Sequence, residues 1–486
     1  MTVIDTRLGK IKGIDHGTSL AFLGIRYGKP PIGRLRFMPP LASGSWNGLL
    51  DATKYSNRAM QRQKLGTMGL VTPGDLSEDC LFLNIYTPHG ENSKRPVMVW
   101  IHGGGFRSGS ANEFDGRVLA SQGDVVVVTI NFRLGPFGFT DLDSLSDELT
   151  GTASNGYRDM ILALEWVQKN ISDYGGDSNN VTVFGQSTGG LGVLGLLAAP
   201  AAEGLFHKAI IHSANGPRWP GGDQTPKIAE KLGVGTSELL DTLRSMSAEE
   251  IIKAELPAGL CIDGTVLTCP LNESVRHARN KSIPIIIGTN RTEGTQQTPP
   301  DSKDEDLDVY EKRLTNLAKF VLESDDPTKY VSGLKSAYPD LNSKRRYEML
   351  MTDSFRRLAI NFIDSASESN HDCWLYRFDL ETTIEHNGKL GGATHSGEMA
   401  FTFNAFADPG CHVAKIYDKK LPEVTQLAEA WSSTLTKFAW TGNPNDAGLL
   451  PHWPNYNIAD RTVMHLTKNS YVSNDPDAVH RQLWDS

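Results

Sequence analysis

The stretch Val181 to Gly190, VTVFGQSTGG, constrains the fold of this chain more than any other. Val181, Thr182, Val183 and Phe184 have the β-branched and aromatic character of a strand, and Leu191 to Ala199 is an apolar, helix-like run that Pro200 stops. Between them lies Gly185-Gln186-Ser187-Thr188-Gly189. The sequence therefore predicts strand, tight turn and helix, with a serine at the apex. A serine there must adopt a strained backbone, and side chains two positions to either side would strike the strand and the helix. Gly185 and Gly189 meet that demand. A pentapeptide of this kind can arise by chance in a chain with 47 glycines; the strand before it and the helix after it give it weight.

The flanking chain reads the same way. Pro96 to Ile101 and Val125 to Ile130 are short, apolar without alternation and bounded by polar or glycine residues, as strands buried on both faces are. The first thirty residues alternate around Gly9 and Gly13 and predict an antiparallel edge meander, with Glu78 to Tyr86 as the next strand. After Asn155-Gly156, Met160, Leu164, Val167 and Ile171 form one apolar helical stripe. Ala209 to His212, Ile283 to Ile287 and Cys373 to Phe378 predict three further strands. This alternation implies an α/β fold, a mostly parallel sheet with helices on both faces. Residues 216–281 and 296–372 interrupt it. Both are polar and largely helical, and Pro299 to Asp306 is expected to be a solvated loop. Each is followed by another sheet-type strand, so both are expected to be cap insertions in one domain spanning 1–486.

Composition narrows the function. A formal charge of −9 with no basic patch disfavours nucleic acid or an anionic membrane surface as a partner. No apolar run reaches the roughly 18 residues that a membrane span needs. The N-terminus lacks the apolar core of a signal peptide, so a cytoplasmic location is expected unless a leader has been trimmed. The five cysteines, Cys80, Cys261, Cys269, Cys373 and Cys411, are scattered and odd in number, which is no disulfide framework. Cys261 and Cys269 are close enough to bridge a small loop, but buried thiols are expected in a reducing compartment. There is no C-x-x-C, histidine cluster or H-E-x-x-H, and neither a metal nor another cofactor is expected.

A serine hydroxyl needs a base to become a nucleophile and an acid to orient that base, and for a serine on this turn both lie downstream in the order acid, then histidine. Glu293, just past the strand Ile283 to Ile287, is the best acid; other carboxylates, or a Glu293 paired with Arg291, stay open. His395, in a small-residue loop after the strand Cys373 to Phe378, is the best base of ten downstream histidines, with His371 and His386 open as well. His102-Gly103-Gly104-Gly105-Phe106 follows a strand directly, and its glycines let backbone N–H groups converge on one point, as an oxyanion hole requires.

These residues resemble the type-B carboxylesterase and lipase family, which includes the cholinesterases, over nearly the whole chain. The resemblance is carried by Glu78 to Asn84, by Gly103 to Phe106 with Gly109-Ser110, by Asn131 to Gly135, and by Gly175-Gly176-Asp177. Further on it is carried by Gly185 to Gly190, Asn290 to Gly294, His395 with Glu398, and Thr441 to Asn445. It implies an α/β-hydrolase fold, a triad of Ser187, Glu293 and His395, and oxyanion donors on Gly104, Gly105 and Thr188. It also implies that Ser213 hydrogen-bonds the triad acid. The activity implied is hydrolysis of a small-molecule ester through an acyl-enzyme; the oligomeric state stays open.

Two departures bear on substrate. Gln186 and Thr188 stand where the family usually has glutamate and alanine, so the negative charge that favours cationic substrates is missing. No tryptophan lies between Asn57 and Cys80, where the choline-stacking ring of cholinesterases would be. Cholinesterase activity is therefore not expected, and the short segment before Cys80 favours an esterase over a lipase. Phe106, Gln186, Trp219, Phe401 and Phe403 are candidates to line an apolar cleft, with Arg107 and Arg218 able to meet an anionic acyl group. The rival readings are an acyltransferase or lactone-forming or lactone-cleaving enzyme with the same triad, and a catalytically inactive binding module.

Overall fold

A strand that is apolar at every residue has to be covered on both faces, and such strands lie at the centre of this protein. The computed structural model describes residues 1–62, 72–90, 94–216, 223–276, 282–298, 307–322, 326–385, 391–407 and 413–484. They gather into two units: Met1–Ile211 with Gly216–Pro284 and Leu435–Asn443, and His212–Asn215 with Ile285–Thr434 and Pro444–Ser486.

In the first unit Thr2–Thr6, Gly9–Asp15 and Ser19–Arg26 pair antiparallel in chain order, which is the expected edge meander. Phe82–Pro88 pairs antiparallel with Ser19–Arg26 and with Val126–Ile130. Arg95–Ile101 then lies parallel to Val126–Ile130 on one side and to Gly176–Gln186 on the other. Every residue of Arg95–Ile101 and Val126–Ile130 is buried, and the Trp100 ring packs against Phe184 at 4.9 Å between centroids.

In the first unit three boundaries shift from expectation for a local reason. The strand placed at Glu78 to Tyr86 begins at Phe82, because Glu78 and Asp79 are drawn into ion pairs with Arg36 and Arg26. The strand leading to Ser187 reaches back to Gly176, with a register shift between Gly176 and Val181 that absorbs polar Asp177 to Asn180. The helix Asn155–Asn170 buries Met160, Leu164 and Val167 as expected. Ile171 already belongs to a 3₁₀ turn, which Gly175 ends with a φ of 84°.

Residues 216–281 are largely helical where described, with Thr225–Leu232, Leu239–Ser245 and Ala248–Lys253. Their apolar faces, through Ile228, Leu243 and Ile251, pack on Phe37 and Phe137. The Arg36 guanidinium donates to the carbonyls of Leu243 and Met246 and so closes the C-terminus of one of these helices.

The second unit repeats the scheme. Ile285–Asn290, Cys373–Phe378 and Thr462–Leu466 run parallel in that order, and Tyr471–Asn474 closes the edge antiparallel. Residues 296–372 supply the helices Leu307–Leu322, Thr328–Ala337 and Ser343–Glu368. The expected loop Pro299 to Asp306 lies outside the described residues. Asp353, fully buried on the long helix, accepts from Tyr330 Oη at 2.6 Å and His480 Nδ1 at 2.8 Å, and so ties down the terminal helix Ala478–Trp484. Among the described residues no helix is long and apolar enough to cross a membrane.

Candidate active site

In the first unit the strand Gly176–Gln186 turns into the helix Thr188–Ala198 at Ser187, whose φ of 59° and ψ of −126° lie outside the ordinary regions for an L-residue. Such a conformation costs on the order of 1–3 kcal/mol and persists only where the surroundings enforce it. The enforcement comes from close backbone packing. A Cβ on Gly185 would stand 2.4 Å from the Gly189 carbonyl oxygen, and one on Gly189 would stand 2.1 Å from the carbonyl oxygen of Ile101. Every residue of the helix is buried, so this bend cannot relax outward.

The loop His102 to Gly109 packs against that bend. Gly104, Gly105 and Phe106 take φ values of 114°, 70° and 56° in succession. A Cβ on Gly104 would fall 2.0 Å from the Ser108 carbonyl oxygen, so only glycine fits there. The Gly104 carbonyl accepts from the N–H groups of Arg107 and Ser108, at 3.1 and 3.0 Å. The N–H of Gly135 donates to the Phe106 carbonyl at 2.6 Å. The N–H groups of Gly104, Gly105 and Thr188 have no acceptor among the described residues. That of Thr188 opens a helix, where unpaired donors and the helix dipole favour negative charge.

His102 Nδ1 donates to the Gly103 carbonyl at 2.8 Å, and the ring stacks on Phe132 at 4.5 Å. Burial pushes its pKa down to about 4, so it acts as a neutral brace for the loop. Asn131 adds another: its Oδ1 accepts from Ser110 Oγ and from the N–H of Ala111. Arg133 is held against buried Asp159 by hydrogen bonds of 2.7 to 3.0 Å. The motif Asn131 to Gly135 is thus scaffolding for the glycine loop.

In the second unit Glu293 and His395 are brought together, with Glu293 Oε2 2.6 Å from His395 Nδ1. The carboxylate is fully buried, and its other oxygen accepts the N–H of Asn290 at 2.7 Å. The two loops are stitched along their length. The N–H of Thr292 donates to the Ala393 carbonyl at 3.1 Å, Asn290 Nδ2 to the Thr394 carbonyl at 2.7 Å, and Thr295 Oγ1 to the Gly391 carbonyl at 2.7 Å. Arg291 pairs with Glu381, so the alternative of a Glu293–Arg291 pair does not arise. His386, another candidate base, lies outside the described residues. Burial opposes the charged form of His395, but the charge of Glu293, its hydrogen bond and the charge of Glu398 together raise the pKa above the ordinary 6.5.

Glu398 has a part the sequence did not show. Fully buried three residues past His395, it accepts from Asn290 Nδ2 through Oε2. Ser213 Oγ donates to Oε1 of this residue at 3.4 Å, which corrects the expectation that Ser213 bonds Glu293. The two Glu293 oxygens take Asn290 and His395 as partners, while the Glu398 carboxylate is the one that comes within reach of Ser213 Oγ. Burial and the neighbouring Glu293 charge push Glu398 up to about 7. The glutamate three residues after the histidine was the available signal.

The expected cleft residues fare differently. Phe106 is 1% exposed and stacks on Phe139 at 4.3 Å. Phe401 is 0% exposed among Phe378, Phe406 and Tyr417. Both rings, and Phe403, are core and offer a ligand no surface, which corrects that expectation; other aromatics had already claimed their faces. Gln186 is buried beside Ser187, Arg107 donates to the Ala258 carbonyl, and Trp219 and Arg218 lie outside the described residues. Cys80, Cys261, Cys269 and Cys373 are buried and form no disulfide; Cys411 also lies outside the described residues.

A serine forced to the head of a buried helix by strand packing, on a mostly parallel sheet with helices on both faces, defines a serine hydrolase of the α/β-hydrolase fold. The whole sequence narrows that class further. Residues 1–484 match the model described as the Carboxylesterase family, and the chain belongs to that family. It is 35% identical over 500 residues to the para-nitrobenzyl esterase of Bacillus subtilis, covering 99% of this chain and 98% of the relative. It is 31% identical to the human cocaine esterase, covering 98% of this chain and 88% of the relative. A solved structure of a PNB esterase superposes with a TM-score of 0.87 at 33% identity, covering 99% of both chains. A carboxylesterase of Geobacillus stearothermophilus does so with 0.86 at 31%, covering 100% of both. The protein is an enzyme, a carboxylic ester hydrolase.

Proposed function

We propose that Ser187, His395 and Glu293 carry out this hydrolysis as one triad. Ser187 Oγ attacks the ester carbonyl while His395 Nε2 takes its proton. The carbonyl oxygen becomes an oxyanion that accepts from the N–H groups of Gly104, Gly105 and Thr188. The alcohol leaves with the proton from His395, giving an acyl-serine. Water then attacks that ester, loses its proton to His395, and releases the acid and the free serine. The observation that carries this reading is the 2.6 Å contact between Glu293 and His395 Nδ1. A carboxylate can only accept there, so Nδ1 carries the ring proton and Nε2 the basic lone pair. A fluorophosphonate is expected to form one adduct, located by peptide mass spectrometry on Ser187; an unlabelled Ser187 in active enzyme would sink the reading.

His395 must be neutral to act, so kcat/KM falls as pH drops through its raised pKa. The Glu398 charge contributes to that rise. Glu398→Gln is therefore expected to move the acidic limb of the kcat/KM profile to lower pH. A limb that stayed in place or moved upward would remove Glu398 from the electrostatics of the base.

Substrates are proposed to be small to medium soluble esters without a cationic group, since Gln186 puts an uncharged amide beside the serine. Para-nitrobenzyl esters, suggested by the name of one relative, are the first to try beside choline esters, which should be poor. Four buried cysteines outside any disulfide fit the cytoplasm as its location.

A further inference from the structure

Beyond its backbone N–H, Thr188 has a side chain that sits at a junction. Its Oγ1 accepts the N–H of Phe106 at 3.2 Å, and both residues are 1% exposed. Phe106 follows Gly104 and Gly105 directly, so the hydroxyl grips the glycine loop one residue beyond its two free donors. A third donor, the Thr188 N–H, lies on the same residue as the hydroxyl. We propose that the Thr188 hydroxyl is a positioning residue that ties the glycine loop to the serine turn and thereby fixes the spacing of the three oxyanion donors.

The loop has reason to need a tie. Phe106 is not glycine, yet its φ is 56° and it ends a run of three left-handed residues, a conformation that relaxes unless held. Four holds are visible among the described residues: its ring on Phe139 at 4.3 Å and edge-on to Tyr157 at 6.0 Å, its carbonyl on the N–H of Gly135 at 2.6 Å, and its N–H on Thr188. Of these four, the last runs to the turn that carries Ser187. The methyl of Thr188 has its own place, for a Cβ on Gly216 would fall 2.4 Å from it. The rotamer is thereby limited, and the hydroxyl is directed at the loop. Alanine, the residue the family resemblance leads one to expect here, has no acceptor to offer and would leave a buried N–H unpaired.

An oxyanion hole acts on the transition state, where donors displaced by a fraction of an ångström lose far more than they do on the ground state. The proposal rests on the assignment of Ser187 and the three donors, and its test separates the two. Thr188→Val keeps the shape and removes the acceptor, and Thr188→Ser keeps the acceptor and removes the methyl. Thr188→Val is expected to lower kcat by about ten- to a hundredfold with KM within about twofold, and to weaken a trifluoromethyl ketone transition-state analogue in proportion. Thr188→Ser should stay within about threefold of wild type on both measures. Fluorophosphonate should still label Ser187 in both variants, more slowly in the valine one. Wild-type kcat in Thr188→Val, or equal losses in the two variants, would overturn the tie while leaving Ser187 in place. Absence of labelling in the wild type would instead overturn the assignment beneath it.

Discussion

Ser187→Ala is expected to lower kcat for ester hydrolysis by about 10⁵- to 10⁶-fold, the scale on which triads lose their nucleophile. No other change of a single oxygen should cost as much. The residue keeps its Cβ, so the strained φ of 59° and the packing of Gly185 and Gly189 around the turn are undisturbed. Thermal melting of the variant should therefore follow the wild type closely, and the loss can be read as chemistry. A remnant of roughly 10³-fold over water is expected from the unpaired N–H groups of Gly104, Gly105 and Thr188. Initial rates on an activated ester, corrected for buffer hydrolysis, measure this. A variant retaining a tenth of wild-type turnover would show that bond cleavage does not pass through this serine.

What makes that prediction available from sequence is the locality of the turn. Glycines two residues to either side of Ser187, a strand before and a helix after all lie within twenty residues, and their packing follows from backbone geometry. The acid and base were less legible. Pattern alone left Glu293 among other carboxylates and His395 among other histidines, because what selects them is the stitching of two loops a hundred residues apart. The strand before Glu293 was expected to stop at Ile287 yet runs to Asn290. Gly288-Thr289-Asn290 looks like a turn, but Gly288 is there because the Tyr376 ring lies where its Cβ would be, 2.3 Å away. That extension carries Asn290 to the point where its N–H and its amide serve two different glutamates.

Polar side chains do more in this site than their residue names suggest, and aromatic ones less. Glu398 and the hydroxyl of Thr188 gain their meaning only from burial, which a residue name does not reveal. Phe106 and Phe401 stood near site motifs and were expected to face a cleft, but a ring beside a motif is more often packing that holds the motif still. Phe106 shows the point: its ring is spent on Phe139 while its backbone serves the glycine loop.

Glu293→Gln is expected to lower kcat by about 10⁴-fold with little change in KM, although it adds no bulk and removes only a charge. The cause lies in how the two carboxylate oxygens are used. Oε1 accepts the N–H of Asn290 at 2.7 Å, and Oε2 faces His395 Nδ1 at 2.6 Å. A glutamine has one amide oxygen and one NH₂ group. The Asn290 N–H can only donate, so it claims the oxygen and the NH₂ is left pointing at Nδ1. Two donors cannot share that contact, and the imidazole proton must move to Nε2, which then has no lone pair for the Ser187 hydroxyl. The same substitution removes the Glu293 charge and hydrogen bond that raise the His395 pKa, leaving burial opposed by the Glu398 charge, so the residual activity should keep its acidic limb at lower pH than wild type. Glu293→Asp keeps the charge but not the reach, and should recover part of the loss. The pH profiles of kcat for the two variants decide the matter, because a tautomer trapped by Asn290 cannot be freed by raising the pH. If Glu293→Gln kept more than about a tenth of wild-type kcat, the orientation imposed through Asn290 would not be what makes His395 a base.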